Sequence, residues 1–481
     1  MRKLLLRARL PIAWVQIGVL LAGLVSYPFA KQTDPDFWWH LRTGDRIFHA
    51  GIPRHDPFSW TAAGHAWVAH EWLSELLIYS VESAFGYWAN VLLFSAVVVA
   101  ALLLMYRLGR AGGAGTRPLV LLLYLSVATL GLYVTVRPQE FTWLLFAVFV
   151  YVLQRHYAGQ RAPLWALPPL MALWANLHLG LVYGLLLVAV WLCALAWERL
   201  RGRAVDLRQP AVIAAACVLA SMLNPHGPAL LWYPARYYFA GQTDRSFVNE
   251  WQRPDPLVPL YWPIFLTGLL LALALVSRAR PRPFLWVVTA VMVALSMQAV
   301  RNAPFAALLL VPVVGGALSG RWQTATSRRD SPRRVPALLA ALLLAAVCAV
   351  VVQIGSRQSG ATSFARPSES GYPAAAAAYV KTNFAGARLY NEYGDGGYLI
   401  YKLYPALQVG IDGRGDFYGG RILNDYATIY RARPGWDALL AQYDPAVVLI
   451  PKQAPLAEKL RTAPGWRLAY TDDRDIVFAR N

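Results

Sequence analysis

Long uncharged runs of Leu, Val and Ala alternate along this chain with short loops in which Arg recurs. Val91 to Met105, Leu119 to Val136, Gly180 to Trp197, Leu257 to Val276 and Val335 to Val352 carry no charged residue. Crossing ~30 Å of hydrocarbon as a helix takes ~20 mostly apolar residues. The pattern therefore predicts a polytopic α-helical membrane protein with about eleven transmembrane helices. These are expected at 10–30, 87–106, 118–136, 141–155, 164–177, 179–198, 210–223, 257–277, 283–300, 303–320 and 335–354.

Two stretches break this rhythm. The segment 31–86 is too polar to span. Phe37, Leu41, Ile47 and Phe48 recur at helical spacing beside Trp38 and Trp39, which predicts a helix lying at the headgroup level. A turn follows at Gly51 to Pro57, then a second such helix over Ala66 to Ala84. Beyond 357 the apolar runs shorten. Strands are expected at Arg388–Asn391, Leu407–Asp412, Ala446–Ile450 and Asp475–Phe478, with helices at Gly397–Tyr404, Gly435–Tyr443 and Leu456–Thr462. Alternating strands and helices predict a small soluble α/β layer. The expected division is thus 1–356, a transmembrane domain that includes the loop 31–86, and 357–481, a periplasmic α/β domain.

With 481 residues and 57% apolar content, a large soluble enzyme would also be conceivable, but the uninterrupted runs exclude it. The formal charge of +19 would suggest nucleic acid in a soluble chain. Here the basic residues fall in loops: Arg107, Arg110 and Arg117; Arg155 and Arg161; Arg199 to Arg208; Arg278 to Arg282; Arg321 to Arg334. With a cytoplasmic N-terminus all these groups face the cytoplasm, as the positive-inside rule requires. No nucleic-acid partner is expected. The basic start, Met1 to Arg9, leads into an apolar segment ending at Tyr27-Pro28-Phe29, which reads as an uncleaved first helix. Cys193, Cys217 and Cys348 all lie in expected helices and offer no disulfide framework. Arg far exceeds Lys and Ala is abundant, a bacterial composition, so the inner membrane is the expected location.

The candidate chemistry collects on the outer face of this topology. Asp34-Pro35-Asp36-Phe37-Trp38-Trp39-His40 follows the first span. The plain role for the pair is capping the helix that begins near Phe37, for which Asp34 is placed, whereas Asp36 between Pro35 and the aromatic run fits it less well. Either can also serve as a general base towards an acceptor hydroxyl, and together they can hold a divalent cation, Mg2+ or Mn2+. His40 joins them as a candidate catalytic group. The same face gathers Arg137 and Glu140, His178 after Asn176, Asn224 and His226, Glu250 and Arg253, and Arg301 beside Asn302. Arg236 and Arg245 belong to it as well. Guanidinium forks match phosphate oxygens, which makes these arginines candidate phosphate ligands. The plain alternatives are helix capping, headgroup anchoring, and pairing of Arg137 with Glu140 or Glu250. Asn391-Glu392-Tyr393-Gly394-Asp395-Gly396-Gly397, which lacks a nucleotide-binding signature, and Asp412-Gly413-Arg414-Gly415-Asp416 are Gly-rich turns after strands, candidate substrate contacts whose glycines turn chemistry explains equally well.

A cytoplasmic N-terminus, one span, a long outer loop opening on an acidic pair, many spans and a C-terminal outer domain make a pattern that resembles the GT-C superfamily of membrane glycosyltransferases. Protein O-mannosyltransferases, aminoarabinose transferases and oligosaccharyltransferase catalytic subunits share it. The resemblance covers most of the chain by architecture, but by motif only the first loop, and Trp38-Trp39-His40 departs from those branches. It implies transfer of a sugar from a polyprenyl-phosphate-linked donor on the periplasmic side, with Asp34 or Asp36 in the position of the catalytic carboxylate. The implied partners are the lipid-linked donor and membrane lipids, with the acceptor unspecified. Two other readings compete. A transporter of a lipid-linked substrate predicts charges at mid-membrane and repeated halves, neither of which is evident. A non-catalytic envelope assembly protein predicts that Asp34 and Asp36 are dispensable.

Overall fold

The computed structural model describes residues 9–30, 33–239, 248–277, 283–326, 334–336 and 367–481. The chain divides into two compact units. One draws on Met1–Lys31, Trp88–Gly227 and Asn249–Phe364, the other on Gln32–Tyr87, Pro228–Val248 and Ala365–Asn481.

The first unit is helical. Ile12–Ala30, Tyr87–Ala111, Thr116–Leu130, Gln139–Tyr157 and Leu167–Leu177 coincide with the first five expected spans. Leu181–Leu200, Arg208–Ser221, Trp262–Val276, Pro283–Gln298 and Ala303–Thr326 coincide with the next five. The last, 335–354, falls outside the described residues apart from Arg334–Pro336, a short strand antiparallel to Arg9–Pro11. Tyr87–Ala111, Leu181–Leu200, Pro259–Val276 and Val300–Ser319 are long and apolar enough to cross a membrane, by length and composition. Ala303–Thr326 runs through the interior, with every residue from Phe305 to Val311 buried. Ser126 of a neighbouring helix donates to Ala307 O at 2.7 Å. The helix Trp262–Val276 does the reverse: Leu266, Leu269, Leu273 and Val276 share one face and stay about half or more exposed, at 47, 56, 54 and 76%. An apolar stripe open on a helix surface belongs against another apolar phase.

The second unit is built on a five-stranded sheet. Its strands are β1 (Arg388–Asn391), β2 (Gln408–Val409), β3 (Val447–Pro451), β4 (Trp466–Thr471) and β5 (Asp475–Arg480). They lie in the order β2-β1-β3-β5-β4. β1 is parallel to both β2 and β3, and β5 is antiparallel to both β3 and β4. Val447, Val448 and Leu449 face Ala479, Phe478 and Val477, all buried, which explains their continuous apolar run. The helices are α1 (Pro35–Ala50), α2 (Trp72–Phe85), α3 (Ala229–Phe239), α4 (Ala374–Asn383), α5 (Gly396–Leu403) and α6 (Gly415–Tyr430), followed by Trp436–Tyr443 and Pro455–Leu460.

Residues 33–86 belong with the C-terminal residues in this unit, whereas the sequence assigned the loop to the helical domain. The cause is backbone pairing at a sheet edge. Val409 N donates to Phe58 O at 3.0 Å and Trp60 N donates to Val409 O at 3.1 Å, so Phe58 to Trp60 extend the sheet in parallel beyond β2. The Trp60 indole donates to Leu389 O at 2.9 Å. An edge strand left open would be a template for unwanted pairing, and this loop covers it. The indoles expected at headgroup level are spent inside the unit as well. Trp38 is fully buried, with ring contacts at 5.6, 5.1 and 5.1 Å to Tyr372, Tyr398 and Tyr401.

One buried ion-pair group locks the loop to the sheet. Arg414 Nη1 donates to Asp56 Oδ1 at 2.7 Å, while Nε and Nη2 reach Asp412 at 2.8 and 2.6 Å. The three side chains are almost completely buried. Asp56 also accepts from the backbone N–H groups of Phe58 and Ser59 at 3.1 and 3.0 Å, and Asp412 from Tyr418 at 2.5 Å. The guanidinium lies 4.6 Å from the Trp67 ring centroid. Removing one partner from such a group leaves uncompensated charge in the interior, which costs about 3–5 kcal/mol. Arg414→Ala is therefore expected to destabilise this unit by about that amount. The exposed Arg461→Ala should change stability by no more than about 0.5 kcal/mol. Thermal unfolding of the detergent-purified full chain checks both.

Candidate active site

The acidic motif opens α1, and Asp34 is its N-cap. Its backbone is extended, with φ −63° and ψ 138°, and Oδ1 accepts from Asp36 N at 3.0 Å. Pro35 follows in the first turn, where a missing N–H costs nothing. Asp36 stands one position on, half-buried, and its Oδ1 accepts from the Trp39 indole at 3.1 Å. Both late Gly-rich turns close on this helix start. A Cβ on Gly413 would fall 2.1 Å from Asp36 Oδ1, and one on Gly397 would fall 2.5 Å from Pro35 O. At Gly397 the neighbour is backbone, so glycine is required there, whereas a side chain at Gly413 would displace the Asp36 carboxylate. Tyr372 adds a hydrogen bond to Thr33 O at 2.6 Å. Three motifs far apart in sequence therefore meet around one helix terminus.

His40 belongs to a different cluster. It is buried, and its Nδ1 lies 3.4 Å from Glu75 Oε1 and 3.7 Å from Glu71 Oε2. Glu71 and Glu75 are one helical turn apart at the start of α2. Burial raises the Glu75 carboxyl well above the usual range, the Glu71 charge adds to this, and Arg414 opposes it. His70 links the cluster to α6, with Nε2 3.1 Å from Asp416 Oδ2, an oxygen that also accepts from Tyr233 at 2.9 Å. Burial alone would raise Asp416. The hydrogen bonds from His70 and Tyr233 and the His70 charge outweigh it and hold the carboxyl at about 2. Among the described residues, the donor atoms close enough to share one cation are those of His40, Glu71 and Glu75. That set does not include the expected pair, Asp34 and Asp36. Sequence reasoning missed Glu75, although Glu71 and Glu75 at a spacing of four were a readable signal.

The remaining candidates lie in the helical unit. Arg137 pairs with Glu250, and the Arg301 guanidinium lies 4.4 Å from the Trp251 ring centroid. Val300 N donates to Gln252 O at 3.0 Å, so the segment Glu250 to Gln252 gathers both arginines. Glu140 is fully buried and accepts from Thr135 N and Arg137 N at 2.7 and 3.2 Å, a structural duty at the start of its helix. His178 Nδ1 accepts from Gly180 N at 2.9 Å and lies 2.8 Å from Thr142 Oγ1. Asn224 organises its own turn: its amide donates to Ser221 O at 2.9 Å, and its Oδ1 accepts from His226 N at 2.8 Å. Arg253 is exposed. Arg245 lies outside the described residues.

In the first Gly-rich turn, Asn391 Oδ1 accepts from Gly410 N and its amide donates to Ile411 O, both at 2.8 Å. Arg474 donates to both oxygens of Asp395 at 2.8 and 3.0 Å. Burial and then the Asp395 charge push Glu392 up to about 7. Burial raises Asp475 to about 6, against the pull of Arg474.

No family model matches the chain, and no curated protein does. Among solved structures it is similar to the arabinofuranosyltransferase AftD from mycobacteria, with TM-score 0.49 and 13% identity. That match covers 98% of this chain but 40% of the mycobacterial protein's length. It is also similar to ArnT from Cupriavidus metallidurans bound to undecaprenyl phosphate, with TM-score 0.49, 14% identity and 97% of each chain covered. At these scores neither likeness carries an argument about activity.

The raised carboxyls give the second unit a pH dependence. Protonated Glu392 is the form the fold favours. From the unfolded value of 4.5 up to about 7 the unfolded chain loses this proton while the folded chain keeps it, so stability falls as pH rises. Asp475 acts in the same sense from 3.8 to about 6. The depressed Asp416 acts in the opposite sense, and its contribution is lost only as pH falls from 3.8 towards about 2. The unfolding temperature of the unit should therefore fall between pH 5 and 7, and Glu392→Gln should make that fall shallower. Thermal melts across this range measure it.

Proposed function

We propose that this chain is a membrane glycosyltransferase that moves a sugar from a polyprenyl-phosphate-linked donor to an acceptor hydroxyl on the outer face of a bacterial inner membrane. The observation that carries the reading is the setting of Asp36. It is a half-buried carboxylate in the first turn of α1, oriented by a neutral indole N–H and packed on the bare backbone of Gly413. A carboxylate fixed in place by a hydrogen bond suits a general base. Asp34 is already engaged as the helix cap, so Asp36 takes the base role.

The helical unit supplies what the donor needs. Outward apolar faces such as Leu266–Leu269–Leu273 suit a bilayer and a lipid-borne substrate. Loss of the sugar leaves charge on a phosphate, and guanidinium groups stabilise such charge as it develops. Arg137 and Arg301, gathered at Glu250 and Trp251, are assigned that task, with the exposed Arg253 next to them in sequence. The resemblance of the early loop to GT-C enzymes supports the carboxylate assignment, not that of the arginines.

Transfer of labelled sugar from polyprenyl-phosphate donors in membranes tests this. Asp36→Asn should lower transfer by about 100- to 10,000-fold, the usual range for a lost general base, at unchanged protein level. Asp34→Asn should stay within about threefold of wild type, because asparagine caps a helix as well as aspartate. Full transfer by Asp36→Asn would refute the assignment.

A further inference from the structure

We infer that His40, Glu71 and Glu75 form a binding site for one divalent cation of the zinc class, tying α1 to α2. Their donor atoms all lie within 4.8 Å of one another. Two ligands about 2.1 Å from an ion at tetrahedral angles are about 3.4 Å apart. His40 Nδ1 is 3.4 Å from Glu75 Oε1 and 3.7 Å from Glu71 Oε2, so the spacing already suits such an ion.

A second observation points the same way. Glu75 is 1% exposed, and its Oε2 has no hydrogen-bond partner among the described residues. A buried carboxylate oxygen left without a donor is costly, and two neighbouring carboxylates repel. A divalent ion would be held by all three groups together. One imidazole nitrogen with two carboxylates suits Zn2+ better than Mg2+ or Ca2+, which prefer oxygen alone. Glu71 remains 12% exposed, leaving the cluster an outlet towards solvent. His70 lies nearby, with Nδ1 3.9 Å from Glu71 Oε1 and Nε2 3.1 Å from Asp416 Oδ2. Because α1 carries Asp36 at its start, the ion would brace the helix that presents the proposed base. The site itself stands whether or not the chain transfers sugar.

The test uses untagged full-length protein in detergent, stripped with a chelator and titrated with ZnCl2 in the absence of any sugar donor. Wild type should bind one equivalent, and excess MgCl2 should not displace it. Glu71→Gln and Glu75→Gln should each weaken binding by more than the roughly 10- to 100-fold lost when an outer partner of a metal site is removed. Asp34→Asn and Asp36→Asn should bind as wild type does. If Glu75→Gln does not accumulate, the part-exposed Glu71→Gln decides alone. Less than half an equivalent in wild type, or an undiminished equivalent in Glu71→Gln, would overturn the site.

Discussion

The guanidinium of Arg414 is buried between Asp56 and Asp412, and the second unit depends on that contact. Its three charges are nearly free of solvent, so each is affordable only while the others stay in place. The geometry is strict: Nε and Nη2 take both oxygens of Asp412, and Nη1 is left for Asp56. Asp56 in turn fixes the backbone at Phe58 and Ser59, the residues that pair with Val409 at the sheet edge. A charge contact between residues 358 positions apart thus determines where an extended strand runs.

From that anchor the candidate chemistry follows. With the loop fixed on the sheet, α1 starts against the two glycine turns, and Gly413 and Gly397 set how closely it approaches. Asp34 is spent on capping, Asp36 is held by Trp39, and His40 turns to α2. The neighbouring acids divide by environment. Glu75 and Glu392 are pushed towards neutrality by burial, whereas His70 and Tyr233 keep Asp416 ionised. Carboxylates so different within one compact unit give it both proton-holding and charge-holding groups.

Much of this was legible in the chain. Uncharged runs marked ten helices because a buried or lipid-facing helix needs little besides apolar length. β1, β3 and β5 were visible as short apolar strands. β4 was not, since Trp466 to Thr471 is an edge strand of mixed polarity with little buried surface. β2 is shorter than expected because Asn391 takes the Gly410 N–H out of the ladder. α6 was hidden by Gly419 and Gly420, and the helix is kinked at Gly419, where φ is +71°. α4 starts as a run of alanines with no apolar face to read. At the site, the acidic opening of α1 and the capping position of Asp34 were legible, because that contact is local. That His40 faces Glu75 was not, because it depends on how α1 packs with α2.

Hydrogen exchange of the full-length protein in detergent tests the central claim most directly, namely that the first loop and the C-terminal sheet fold as one unit. The account predicts that the amides of Trp60 and Val409 exchange with protection similar to that of Leu389 in β1, and that all lose it together in Arg414→Ala. Rapid exchange at Trp60 and Val409 in wild type, with β1 still protected, would contradict it.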